Sequence, residues 1–156
     1  MDFETANNSR LSACSLGLAI VENGKVIGSQ LFLIRPPSQQ FLFTHIHGIR
    51  WEDVKFAANF KNTWPVAAKY FEGVDFIVCH NAPFDKSVLS ECLKDAGLPE
   101  VKSEYRCTLK LAREKLKIPK HNLAAVCKHL DIPLKHHDAL SDAEACAQVY
   151  LRLIGL

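Results

Sequence analysis

The 156-residue sequence contains no apolar run of the eighteen or so residues that a membrane span needs, and no charged segment leading into an apolar stretch at its start. A helical membrane protein is excluded, and a cytoplasmic one is expected. No C-x-x-C pair occurs among the cysteines at 14, 79, 92, 107, 127 and 146. That leaves out a zinc ribbon and a dithiol redox motif, and predicts buried free thiols in a reducing compartment. Charge of one sign is also scarce: the net charge is +2, with no basic arm, so a nucleic-acid ligand would have to be held locally. Repeats, low-complexity tracts and linkers are absent, which predicts one domain over residues 1–156. What is present, 48% hydrophobic and 23% charged residues, is ordinary for a globular chain.

The opening stretch, Asp2-Phe3-Glu4-Thr5, is the most informative. On a strand, successive side chains alternate faces, so Asp2 and Glu4 share one face about 7 Å apart and Phe3 takes the other. Two carboxylates inside a fold repel each other and lose hydration unless a cation compensates. A hard divalent ion such as Mg²⁺ or Mn²⁺ supplies that charge. Asp-x-Glu alone is equally what a solvated chain end carries, so other residues must support the reading.

Further along, Ser12 to Val21, an Asn23-Gly24 turn and Val26 to Ile34 predict an antiparallel hairpin that Arg35-Pro36-Pro37 ends. Residues 38 to 50 read as a loop and Trp51 to Val54 as a short helix. Thr63-Trp64-Pro65 reads as a helix start with Thr63 as N-cap. Val74 to Cys79 reads as a buried strand. Helices are expected over Phe84 to Ala96, Thr108 to Leu116, Asn122 to Leu130 and Ala139 to Leu153. Early strands followed by helices and a further strand imply an α/β domain with a mixed central sheet.

Two more places could carry chemistry. Asp85 ends His80-Asn81-Ala82-Pro83-Phe84-Asp85, just past the buried strand, where α/β folds carry ligands. Helix capping explains an aspartate there equally well. His136-His137-Asp138-Ala139-Leu140-Ser141-Asp142 opens the last helix. His137 and Asp142 converge only if the histidine lies in the loop before the helix, because a gap of five turns side chains roughly 140° apart on a helix. A neutral imidazole there can take a proton near neutral pH.

The three motifs in this order, with the Asn-Gly hairpin and Ile46-His47-Gly48-Ile49 between, resemble the DEDDh 3′ to 5′ exonucleases. These belong to the ribonuclease H-like superfamily, which includes the proofreading subunit of bacterial DNA polymerase III. The resemblance implies a ribonuclease H-like fold, with antiparallel N-terminal strands and flanking helices. It implies that Asp2, Glu4, Asp85 and Asp142 hold two Mg²⁺ or Mn²⁺ ions and that His137 is the general base. Hydrolysis of the terminal phosphodiester would release nucleoside 5′-monophosphates. Thr5, His80 and Asn81 match motif positions expected to place substrate. The partner implied is a single-stranded 3′ end, DNA before RNA, with a DNA polymerase as a further partner. Only Met1 precedes Asp2, so the first strand is expected to be short and Asp2 weakly anchored.

Within the same class stands an exoribonuclease trimming RNA 3′ ends. An inactive nucleic-acid-binding or polymerase-accessory module is a different class, as is a zinc protein built from His45, His47, Cys127, His129, His136 and Cys146. Base stacking could fall to Phe41, Phe43, Trp51, Trp64 or Phe84, and Lys86, Lys110, Arg113, Lys120 and Lys135 could form a basic rim. For any one of these, core packing or an ordinary solvated helix face accounts for the residue equally.

Overall fold

Alternation in the first five residues separates two faces as expected. In the computed structural model, which describes residues 1–155, strand β1 is Asp2–Thr5, with Phe3 and Thr5 buried and Asp2 and Glu4 partly open. Strands β2 (Ala13–Glu22) and β3 (Lys25–Leu33) form the hairpin. Asn23 and Gly24 take φ of 49° and 74°, the left-handed backbone that a type I′ turn requires. β1 pairs antiparallel with β2, Asp2 opposite Gly17 and Glu4 opposite Ser15, and all four residues of this short strand find partners, with a shift of register between Glu4 and Thr5.

The expected loop over residues 38 to 50 contains a single helical turn, α1 (Thr44–His47), and α2 (Trp51–Val54) follows. The expected start at Thr63 is corrected. Helix α3 runs Phe60–Ala67, capped by the Asn59 side chain, which accepts from the Asn62 N–H at 3.0 Å. Pro65 lies inside it, where the missing N–H removes one helical bond. The chain then tightens into a 3₁₀ turn at Ala68–Phe71.

Strand β4 (Phe76–Cys79) leads into α4 (Ala82–Asp95), with only Ile77 and Cys79 fully buried. It pairs in parallel with β5 (Glu104–Cys107), a strand not expected from the sequence, because Glu-Tyr-Arg-Cys alternates over only four residues and has no β-branched run. The mixed sheet is thus two ladders, β1-β2-β3 and β4-β5, joined where the Met1 nitrogen donates to Val78 O at 2.8 Å. Helices α5 (Thr108–Lys115), α6 (Leu123–Leu130) and α7 (Ala139–Ile154) complete the chain. All six cysteines are free and five are buried, as expected. Among the described residues no helix is long and apolar enough to cross a membrane.

Two cores lie on opposite faces of the sheet. Phe3, Leu16 and Leu18 pack with Trp64, Val88, Leu89 and Leu93 of α3 and α4. On the other face α7 lies against β2, with Ala145, Val149 and Leu153 packed on Ala112 of α5 and Val126 of α6. One position sets how close α7 comes. A Cβ at Gly17 would sit 1.9 Å from the main-chain oxygen of Ala139, the first residue of α7. Backbone cannot swing aside like a side chain, so α7 must back away if a methyl is added. Gly17→Ala is therefore expected to lower unfolding free energy by roughly 1–3 kcal/mol. A urea midpoint equal to the parent's would show that α7 is not held by this contact.

Candidate active site

Gly17 stands opposite Asp2, so the start of α7 settles directly beside the acidic face of β1. Asp142, in the first turn of α7, joins Asp2 and Glu4, with one carboxylate oxygen from each within 4.8 Å of the others. Asp85, in the first turn of α4 and 1% exposed, comes from the opposite side. Its Oδ1 accepts the Phe3 N–H at 2.8 Å, so one oxygen is committed to the backbone between the two β1 acids. Three remote segments thus converge, with Asp85 set slightly apart from the other three.

Crowded acids hold protons. Burial first, then Asp85, Asp142 and Glu4, push Asp2 well above the usual carboxylate range. Burial and the neighbouring Asp142 and Asp85 raise Glu4 to about 8. Burial raises Asp85 to about 7 against the Phe3 N–H bond, which works the other way. Asp142 is raised by burial, opposed by His136 and by the His137 N–H. An all-carboxylate donor set under this repulsion fits hard divalent cations. Among the described residues, the groups close enough to hold a metal are this trio and His136-His137-Asp142. The zinc set weighed above is not assembled.

The adjacent histidines differ in their use. Residues 135–138 form a tight turn closed by the Asp138 N–H to Lys135 O at 3.2 Å. Ser141 Oγ accepts the Lys135 N–H at 2.8 Å, which ties that turn to α7. His137 sits in it at φ 66°, a position where glycine would be relaxed. That backbone turns the His137 N–H onto Asp142 Oδ2 at 3.1 Å. His136 Nδ1 lies 3.1 Å from the same oxygen, and the two imidazoles stack with centroids 3.7 Å apart. The ring of His136 is therefore engaged with Asp142, while that of His137 makes no hydrogen bond among the described residues.

Around the mouth, Asn81 is exposed in left-handed backbone (φ 69°) and makes no side-chain cap bond. His80, expected to place substrate, instead has both ring nitrogens taken by the protein. Nε2 lies 3.0 Å from His121 O and Nδ1 2.9 Å from Thr108 Oγ1. A carbonyl only accepts, so Nε2 carries the proton and Nδ1 accepts from the hydroxyl. Burial lowers this imidazole to about 4 and keeps it neutral. Thr5 is buried, and its carbonyl accepts from His47 Nε2 at 3.0 Å while His47 Nδ1 accepts the Ile49 N–H at 3.1 Å. His47 thus clamps the 44–49 segment to the end of β1. In the sequence His47 stands in the Ile46-His47-Gly48-Ile49 stretch and in the zinc set, and neither points to this clamp. Trp64 is core, Lys86 lies over Tyr105, and Lys135 pairs with Asp138, so none of these is a free rim group.

Fold and donor set together define a nuclease of the ribonuclease H-like class. The chain belongs to the RNase_T exonuclease family, matched over residues 1–150. It is 30% identical over 173 residues to DNA polymerase III subunit epsilon of Haemophilus influenzae, covering 99% of this chain and 66% of that protein. It is 29% identical over 160 residues to the PolC-type DNA polymerase III of Thermotoga petrophila, covering all of this chain but 12% of that much longer protein. Exonuclease X, solved in complex with 5′ overhanging duplex DNA, superposes with a TM-score of 0.79 at 26% identity over 99% of this chain and 89% of that one. The nuclease domain of 3′hExo, a DEDDh family member bound to rAMP, shares the fold with a TM-score of 0.82 at 15% identity, over 99% of this chain and 89% of that one.

The raised acids give a pH test. Folded Glu4 and Asp85 hold protons up to about 8 and about 7, whereas unfolded they release them near 4.5 and 3.8. Without metal, this contribution to stability is complete below about pH 4 and is lost as pH rises through 7 to 8. The melting temperature in EDTA is expected to fall between pH 5 and pH 8. Mn²⁺ should raise it, more at pH 8 than at pH 5, and Glu4→Gln should flatten the fall. A profile in EDTA that is flat and unaltered by Glu4→Gln would contradict the crowding.

Proposed function

We propose that this protein is a 3′ to 5′ exonuclease that hydrolyses the terminal phosphodiester bond of DNA and releases nucleoside 5′-monophosphates. Asp2, Glu4, Asp85 and Asp142 hold two Mg²⁺ or Mn²⁺ ions, and His137 is the general base. The observation that carries the reading is the meeting of the Asp2, Glu4 and Asp142 carboxylates within 4.8 Å, next to an imidazole with an uncommitted ring. Four carboxylates balance two divalent charges, which removes the repulsion that otherwise keeps the acids protonated. Bound there, the ions supply Lewis-acid stabilisation of the phosphate and lower the pKa of water.

The chain's own groups do the rest. His137 is held neutral by burial and by its neighbour His136, so its ring can accept a proton from the attacking water. That water attacks the phosphorus in line with the leaving 3′ oxygen. His136 keeps Asp142 Oδ2 in position from behind. Asn81, with its amide free, and Thr5, at the strand end, contact the terminal nucleotide, and His80 acts one layer back by fixing the end of β4. DNA is favoured as substrate because the relatives that match along the chain are DNA polymerase III proteins. The same kinship makes a DNA polymerase an expected partner and the cytoplasm the expected location.

Digestion of a 5′-labelled single-stranded DNA and its RNA counterpart tests this, with Mn²⁺, Mg²⁺ or EDTA. Shortening from the 3′ end should need metal and run faster on DNA. Faster cleavage of RNA would move the protein to the exoribonuclease reading. His137→Asn keeps the left-handed turn accessible, since asparagine tolerates it, and should slow the rate by roughly 10²- to 10⁴-fold. Asp142→Ala should do at least as much. A folded His137→Asn with the parent rate would remove that residue from the chemistry.

A further inference from the structure

Carboxylates draw cations but repel the polyanion they must cut, so grip on a nucleic acid has to come from positive charge close by. Residues 110–121 supply it. Lys110, Arg113, Lys115, Lys117 and Lys120 stand there against one acid, Glu114, a net of +4 where the whole chain carries +2, so the remainder is on balance acidic. All five are exposed, and none forms an ion pair among the described residues, whereas Arg50, Arg106 and Lys135 do. A solvated helix face that only keeps a protein in solution alternates its signs and pairs them. This segment does neither. Nor is it a loose tail: Leu116 and Ile118 pack into the core of α6 and α7, the His121 ring lies 3.2 Å from Leu116 O, and Asn122 caps α6 by accepting the Ala125 N–H at 2.9 Å. Lys117 and Lys120 are thus presented on backbone already fixed.

Position ties the segment to the carboxylates. Strands β4 and β5 are parallel, so α4 and α5 begin at the same end of the sheet, the end where Asp85 of α4 takes the Phe3 N–H. His80, at the end of β4, fastens the segment from both sides, with Nδ1 on Thr108 Oγ1 at the start of α5 and Nε2 on His121 O beside Lys120. Burial, then the charges of His136 and Arg113, hold this ring neutral against the His121 carbonyl, which places Arg113 and His136 about the same imidazole. His136 in turn lies 3.1 Å from Asp142 Oδ2. The basic segment therefore stands one imidazole away from the histidine that holds Asp142. We propose that Arg113, Lys117 and Lys120 bind phosphodiesters of the strand whose 3′ end lies at the carboxylates; this rests on the nuclease reading above. Contacts of this kind give affinity without sequence preference, and each phosphate neutralised on a single strand adds about 0.7 to the slope of log K against log salt.

The test is fluorescence anisotropy of 5′-labelled dT12 and dA12 with the full chain in EDTA, between about 50 and 200 mM salt. It compares the parent, the pair Arg113→Gln with Lys120→Gln, and the charge-matched pair Lys25→Gln with Lys61→Gln. The first pair should cut the slope by about 1.4 and weaken dT12 and dA12 alike. The second, with the same net charge, should leave the slope at the parent's value, as should Arg113→Lys. With Mn²⁺, the first pair should raise KM for dT12 while dT2, whose only phosphodiester sits at the carboxylates, is cut at the parent's rate. An unchanged slope in the first pair, an equal loss in the second, or a parent that does not bind dT12 overturns the patch. So does an unchanged slope with binding to polyglutamate lost, which would assign the patch to an acidic protein partner. The slope change without digestion would sink the nuclease reading alone, and digestion with the slope unchanged would sink the patch alone.

Discussion

Contact between the bare backbone of Gly17 and the first carbonyl of α7 sets the spacing on which the rest of the site depends. Any side chain at position 17 would meet main chain at 1.9 Å. Because β2 carries Gly17 opposite Asp2, the closeness of α7 is delivered at the acidic pair. Asp142 lies one turn into α7, and so enters the carboxylate group by the same contact. A helix held a few ångströms further out would leave Asp142 near water and Asp2 without its neighbour. The first strand gains from this as well. With four residues it has few ladder bonds, yet it is gripped by β2 on one side and by Asp85 on the Phe3 N–H on the other.

Closeness has an electrostatic consequence. Each acid raises the proton affinity of the others, so the fold without a cation is a compromise between packing that draws the segments together and charge that drives them apart. Part of the strain is relieved locally, by the Phe3 N–H on Asp85 and by the His136 ring and His137 N–H on Asp142. Glu4 and Asp2 have no comparable hydrogen-bond donor among the described residues, and burial together with the neighbouring carboxylates raises both. Cations brought to this patch would be drawn by groups already held in place, with little left to reorganise.

Much of this was legible in the sequence where a local rule and the three-dimensional outcome coincide. Alternation in Asp2 to Thr5, the Asn23-Gly24 turn and the helix over the Ala139 region needed only neighbours in the chain. The ordered motifs name Asp2, Glu4, Asp85 and Asp142, and the fold brings these four near one another, each close to the end or start of a regular element. Where reading failed, distant contacts decided. Thr63-Trp64-Pro65 looks like a helix start, but Asn59 offers a better cap and Trp64 belongs in the core, so the helix begins earlier and tolerates Pro65. Glu104 to Cys107 alternates over four residues alone, too short a signal without the edge that β4 offers it. His80 reads as a site residue from its motif, yet its partners Thr108 and His121 lie 28 and 41 residues further along the chain, beyond any local pattern.

The paired histidines show how spacing and conformation together assign roles that composition leaves open. A base one residue earlier would be equally close in the chain. Only His137 occupies the left-handed position of the turn, where a side chain other than glycine's is disfavoured. Strain of this kind persists where the surroundings over-determine it, and here they do: Ser141 Oγ, the Asp138 carboxylate and Asp142 Oδ2 all fasten the turn to α7. The turn directs the main chain of His137 at Asp142 and leaves its ring unengaged, while His136, stacked against it, takes the second position on the same oxygen. A glycine would relax the turn and remove the ring. On the proposed reading, the ring that a histidine carries there is what offsets the strain of the position.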